Sequence, residues 1–209
     1  MSGASRLRGE EGITLVELLV VTLLMAVIGG IVLTGVVSAH RVTRHTESRV
    51  QALTAIHHTM IGVGRHVRAA DSRDAVNTAL IAASPERLET DVLRGTRRIR
   101  YTYTLSAGRL IERRRVWDAT ASLTSTPTSD RSRTLMAGLV NGASQPLFSY
   151  RASDGSCVTG CTNSTGAYVG GPAPAAALAE IVEVGLRVRR DVGQGPPIEV
   201  VTRVVLRNA

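Results

Sequence analysis

Apolar and polar positions alternate along this chain with three different periods, and each predicts a different element. From Ile13 to Ala39 there is no period: 27 residues carry one charge, Glu17. At 1.5 Å per residue a helix over this run would be roughly 40 Å long, enough to cross a hydrocarbon core of about 30 Å. From residue 40 to 70 the apolar residues Leu53, Ile56, Met60, Val63, Val67 and Ala70 recur every three or four positions, which predicts one helical stripe continuing the first run. Gly62 and Gly64 lie in that stretch, each costing about 1 kcal/mol against Ala, and predict a bend.

Beyond residue 70 the period drops to two. Residues 71–85 hold Asp, Ser, Asn and Pro and read as the helix exit and a loop. In 97–105, Ile99, Tyr101, Tyr103 and Leu105 share one face, with Arg98, Arg100, Thr102 and Thr104 on the other. Ser106-Ala107-Gly108 turns this strand into a second, 109–117. The Ser/Thr-rich stretch 118–133 reads as loop, 134–141 as a short helix or strand, and 147–150 as strand. Residues 153–177 read as a long irregular loop, and 178–191 with 198–206 as a closing antiparallel hairpin. A long helix followed by antiparallel strands predicts an α+β chain: an N-terminal helix whose second half packs on a sheet domain at 71–209.

Glu17 is the residue the apolar run does not explain. An ionised carboxylate against lipid costs several kcal/mol, so an acid within a spanning segment is a candidate for function. Three readings of the run stand together. Val37-Ser38-Ala39 has the small-residue pattern of a signal-peptidase site, which would release a domain beginning at His40. Length alone suits an uncleaved membrane anchor that does not polymerise. Third, Gly12-Ile-Thr-Leu-Val-Glu-Leu-Leu-Val-Val21, behind the short polar stretch MSGASRLRGEE, resembles the processing motif of type IV prepilins and type II secretion pseudopilins. The match joins a glycine, an acid five residues later and a spanning run. It departs from the commonest family pattern at Ile13, where Phe is usual.

That resemblance implies a leader of residues 1–12 removed by a prepilin peptidase after Gly12, N-methylation of Ile13, and a spanning assembly helix over 13–39. It also implies that the carboxylate of Glu17 meets the N-terminal amine of a neighbouring subunit. Tyr103-Thr104-Leu105 through Gly108-Arg109-Leu110 to Arg113, then Phe148-Ser149-Tyr150 and a terminal Leu206-Arg207-Asn208, are similar to minor pilins of the PilW type and to the minor pseudopilin J. The implied partners are other pilin or pseudopilin subunits, the inner-membrane assembly platform and membrane lipid. The sheet domain would then lie outside the cytoplasmic membrane, with the subunit at the tip of a pilus or pseudopilus or in its initiation. Arginine counts give no orientation, because Arg6 and Arg8 precede the run and Arg41, Arg44 and Arg49 follow it.

Composition adds charge to this picture. The formal net charge is +8 and the isoelectric point about 10.8, with no lysine, so all of the basicity is arginine. Arg97, Arg98 and Arg100 face Arg113, Arg114 and Arg115 across the predicted hairpin. Such a face, with Arg98, Arg100, Arg113 and Arg115 as contacts, reads as solvated or subunit-contacting, or as a phosphate-tracking surface in a DNA-uptake pilus. Cys157 and Cys161 would close a small disulfide loop outside the cytosol. The five histidines have no i, i+4 pair, and the sequence has no G-x-S-x-G, P-loop, H-E-x-x-H or dinucleotide fingerprint. A non-enzymatic chain without metal or cofactor is expected.

Overall fold

A computed structural model describes residues 14–70, 79–122, 124–193 and 195–206. Gly12, Ile13, Arg207 and Asn208 lie outside the described residues. The chain divides into two compact units, Met1–Glu47 and Ser48–Ala209, and it is α+β.

Helix α1 runs Leu15–Arg68, unbroken through Gly62 and Gly64, so the predicted bend does not interrupt it. From Leu15 to Val37 it is made of Leu, Val, Ile, Ala and Met with Thr and Gly between, and one acid, Glu17. Thr22 and Thr34 donate their hydroxyls to the carbonyls of Leu19 (2.9 Å) and Gly30 (2.8 Å), so these polar groups are satisfied inside the helix. Large apolar side chains from Leu15 to Val37 are exposed. The helix is long and apolar enough to cross a membrane, with a mean hydropathy of 2.7 over its most apolar window.

In the second unit, α1 buries Ala52, Ile56, Met60, Val63 and Val67, followed by Ala70. This corrects the predicted stripe at one position. Leu53 is 44% exposed and Ala52 takes its place, because 52, 56, 60, 63 and 67 keep one face in register with the sheets. Gly64 has a packing reason: a Cβ there would lie 3.2 Å from Val204 Cγ2, so its bare face lets a strand come close.

Among the described residues the strands form three antiparallel sheets. The first is a meander in chain order: β1 (Leu80–Ser84), β2 (Arg87–Arg94), β3 (Arg97–Ser106), β4 (Arg109–Asp118) and β5 (Ser129–Ala137). The second has the order β11-β10-β6-β7, from β6 (Phe148–Ala152), β7 (Cys157–Thr159), β10 (Ile181–Arg190) and β11 (Ile198–Val205). A small ribbon pairs β8 (Cys161–Thr162) with β9 (Tyr168–Val169), and a single helical turn, α2 (Ala175–Leu178), follows. Inner residues of both large sheets, among them Leu88, Tyr103, Leu110, Phe148, Leu186 and Val204, join the α1 residues in one core.

Four sequence expectations are corrected. The expected loop 71–85 gives way to β1 from Leu80, which pairs with β2. The expected loop 118–133 ends earlier, because β5 starts at Ser129 and pairs along β4. The stretch 153–177 holds β7, β8, β9 and most of α2. Leu178 belongs to α2, so the last hairpin begins at Ile181.

Candidate functional site

Three places carry chemistry. The first is the start of α1. Thr14 Oγ1 accepts the backbone N–H of Glu17 at 3.3 Å, and Thr14 O accepts the N–H of Leu18 at 3.2 Å. Thr14 is therefore the N-cap and Glu17 the third helical residue, the T-x-x-E spacing of a capping box. An acid there also suits the positive end of the helix dipole. The sequence held this signal in Thr14 and Glu17, and reading Glu17 only as an intramembrane acid misses it. The Glu17 side chain is exposed among exposed Leu15, Val16, Leu18 and Leu19.

The second place is the outer face of the first sheet. The register sets Arg100 beside Asp91 and Arg115, and Thr102 beside Glu89 and Arg113. Arg98, Arg100, Arg113 and Arg115 thus share the face the alternation predicted. Arg97 and Arg114 do not: they pair with Asp118 and Tyr101 on the opposite parity. Arg100 donates to both Asp91 oxygens at 2.8 and 2.9 Å, and Arg113 to both Asp130 oxygens at 3.0 and 2.5 Å. Hydrogen bonding to Arg113 holds the Asp130 carboxyl below its usual range. Glu89, only 3% exposed, is ringed by Arg87, by Arg115 at 3.2 Å and by Arg100 at 3.5 Å. Trp117 lies under the guanidinium groups of Arg100 and Arg115, 5.7 and 5.5 Å from its ring. The guanidinium groups of Arg100, Arg113 and Arg115 are thus already engaged by carboxylates and an indole. Sequence reading missed Glu89, Asp91 and Asp130 because it tracked the cations alone.

The third place is inside, between α1 and the first sheet. His66 stacks on Tyr101 with centroids 3.7 Å apart, and its Nδ1 is 2.5 Å from the Tyr103 hydroxyl. Tyr103 donates to the buried Glu112 at 3.1 Å, and Arg133 donates to the other Glu112 oxygen at 2.8 Å. All three groups are satisfied when Nδ1–H of His66 donates to the phenol oxygen. Burial lowers the His66 pKa, opposed by the Glu112 charge, and burial raises that of Tyr103. This chain of contacts ties the last turn of α1 to β3, β4 and β5.

Cys157 and Cys161 are joined by a disulfide, with Cα atoms 5.8 Å apart, bridging the turn from β7 to β8. Among the described residues, no cluster of three His, Cys, Asp or Glu side chains could hold a metal ion. No protein-family model matches the chain, and no curated protein matches it either.

Proposed function

We propose that this chain is a non-enzymatic minor subunit of a type IV pilus or type II secretion pseudopilus, built into it through α1. The observation that carries the reading is α1 itself. One helix of 54 residues has an apolar, exposed first part with a single acid in its first turn, and a second part that forms the spine of an α+β domain. The resemblance of Gly12–Val21 to the prepilin motif supplies the rest: removal of the leader after Gly12, methylation of Ile13, and a location first in the cytoplasmic membrane with the sheet domain outside.

Physical chemistry gives Glu17 its role. Cleavage after Gly12 would create an ammonium group at Ile13, next to the positive end of the helix dipole and at the depth of Glu17. Both charges are costly in lipid, and each becomes cheaper when another subunit presents the opposite one. Stacking of subunits then relieves a cost that the single subunit bears, which favours ordered addition.

The capping box offers a sharp test. Glu17→Gln keeps a residue suited to that box but removes the charge. Incorporation of the full-length variant into filaments or tip complexes, read by co-purification with the other subunits, is expected to fall at least tenfold for both Glu17→Gln and Glu17→Ala. Normal incorporation of Glu17→Gln would reduce Glu17 to a helix cap and remove the assembly role. The DNA-uptake alternative draws less support, since three of its four arginines, Arg100, Arg113 and Arg115, are held by Glu89, Asp91 and Asp130.

A further inference from the structure

The outer face of the second sheet has a dip at its centre, and the cause is one glycine. Gly185 on β10 sits abreast of Ser149 on β6 and Arg203 on β11. With no side chain at the middle of that row, Ser149 leans across: a Cβ on Gly185 would lie 2.2 Å from Ser149 Oγ. A wall rises on one side because of a second glycine. Gly160, at φ +71°, lies so close to β6 that a Cβ would be 2.1 Å from the Phe148 carbonyl oxygen. That close seat brings the disulfide and Tyr168 of the β8–β9 ribbon to the edge of the dip. The result is a cleft of about 210 Å³.

Three arginines, Arg151, Arg187 and Arg203, line this cleft with a single acid, Glu183, for a net charge of +2. Arg151 donates to the Gly155 carbonyl oxygen at 2.9 Å, and the ion pairs of the other two are open. Arg203 Nε is 3.7 Å from Glu183, and Arg187 Nε is 3.5 Å from Glu199, which Arg189 also approaches at 3.4 Å. Closed charge-assisted pairs run at about 2.7–2.9 Å, as Arg100 and Asp91 do on the first sheet. A guanidinium group held at arm's length by a shared or distant acid keeps donors for an incoming anion. The same criterion that finds the first sheet's arginines engaged picks out this cleft.

We propose that the cleft binds a carboxylate side chain presented by an acidic, extended protein segment. Its volume falls below the roughly 300–1,000 Å³ of pockets that enclose a whole small ligand, and suits one side chain. Glu183 on the wall disfavours a dianion such as phosphate over a singly charged carboxylate. Beside the cleft, β11 is the end strand of its sheet, with Val201 and Val205 exposed on either side of Arg203. A strand laid along β11 would cover those two valines while its acid reached Arg203 and Arg187. This site does not depend on whether the chain polymerises.

The test uses the full-length protein in detergent micelles, titrated with acetyl-Thr-Glu-Val-Glu-Thr-amide, with its Gln-for-Glu twin and with inorganic phosphate. Binding is read by calorimetry and by amide NMR shifts. The acidic peptide is expected to bind and to move the amides of Ser149, Gly185 and Arg203, and the neutral twin to bind at least tenfold more weakly. R203Q and R187Q, both at partly exposed positions where folding is kept, are each expected to weaken the acidic peptide about tenfold, and R131Q on the first sheet to leave it unchanged. Equal binding of the twin, tighter binding of phosphate, shifts confined to other residues, or no binding at all would each overturn the proposal.

Discussion

Single residues on the first sheet show how charge is held in this protein. Glu89 is a buried carboxylate with three arginines around it, so removing it leaves cations facing one another in a partly desolvated place. Breaking such a group typically costs about 3–5 kcal/mol. Glu89→Ala is expected to lower the unfolding free energy by about that amount in denaturant titrations, far more than an exposed Arg131→Ala. Tyr103 is the hinge of the inner network. Tyr103→Phe removes the group that His66 and Glu112 both use, and an expected loss of about 1–3 kcal/mol follows from leaving buried partners unsatisfied. His66 adds a pH dependence whose sign is fixed by its lowered pKa. An unfolded chain takes up the proton near the ordinary 6.5, the folded one only at lower pH, so protons favour the unfolded state between those values. The contribution of neutral His66 is complete above 6.5 and is lost as pH falls through the folded value. Thermal unfolding from pH 7.5 down to 5 is expected to show a drop in midpoint that His66→Gln makes shallower. The groups around His66 are Glu112 and Arg133 on the sheet, Arg94 at the end of β2, and Arg65 on α1.

At the scale of elements, the legibility of the sequence follows burial. The stripe on α1 and the strands β3, β4, β10 and β11 were readable because one side of each is buried and apolar while the other is polar. β1 was not, since Leu80-Ile-Ala-Ala-Ser84 is short, small and barely alternating. β5 was not either. Its first five residues, Ser129 to Arg133, are polar and mostly exposed, which suits an edge strand that must resist pairing with other sheets. An edge strand defended by charge looks like a loop in sequence. The carboxylates that hold the first sheet's arginines were legible only once register set them abreast, because Glu89 lies on another strand from Arg115, Asp91 from Arg100 and Asp130 from Arg113. The disulfide closes a loop of five residues, for which chain entropy gives about 2 kcal/mol. Reduction, or Cys157→Ser with Cys161→Ser, is expected to lower stability by up to that amount while leaving β3, β4 and β10 intact by hydrogen exchange.

For the whole molecule, the decisive property is that two kinds of helix surface occur on one element. From Leu15 to Val37 α1 exposes apolar side chains with one acid, Glu17, while the second unit builds a core around Ile56, Met60, Val63 and Val67. With a net charge of +8 but the guanidinium groups of Arg100, Arg113 and Arg115 engaged, any affinity for duplex DNA is expected to be diffuse and to vanish by about 200 mM salt. Affinity that falls steeply with salt and is lost with Arg98→Gln and Arg115→Gln but kept with Arg151→Gln would favour the DNA-uptake reading, and binding unchanged from low to high salt would argue against it. The central claim, that α1 is an assembly helix uncovered by processing, turns on one bond. Mass spectrometry of the protein recovered from membranes of cells that contain a prepilin peptidase reads that bond directly. The expected mature chain begins at Ile13 and carries one methyl group on its amine. A chain that still begins at Met1, or one that begins at His40, would contradict it.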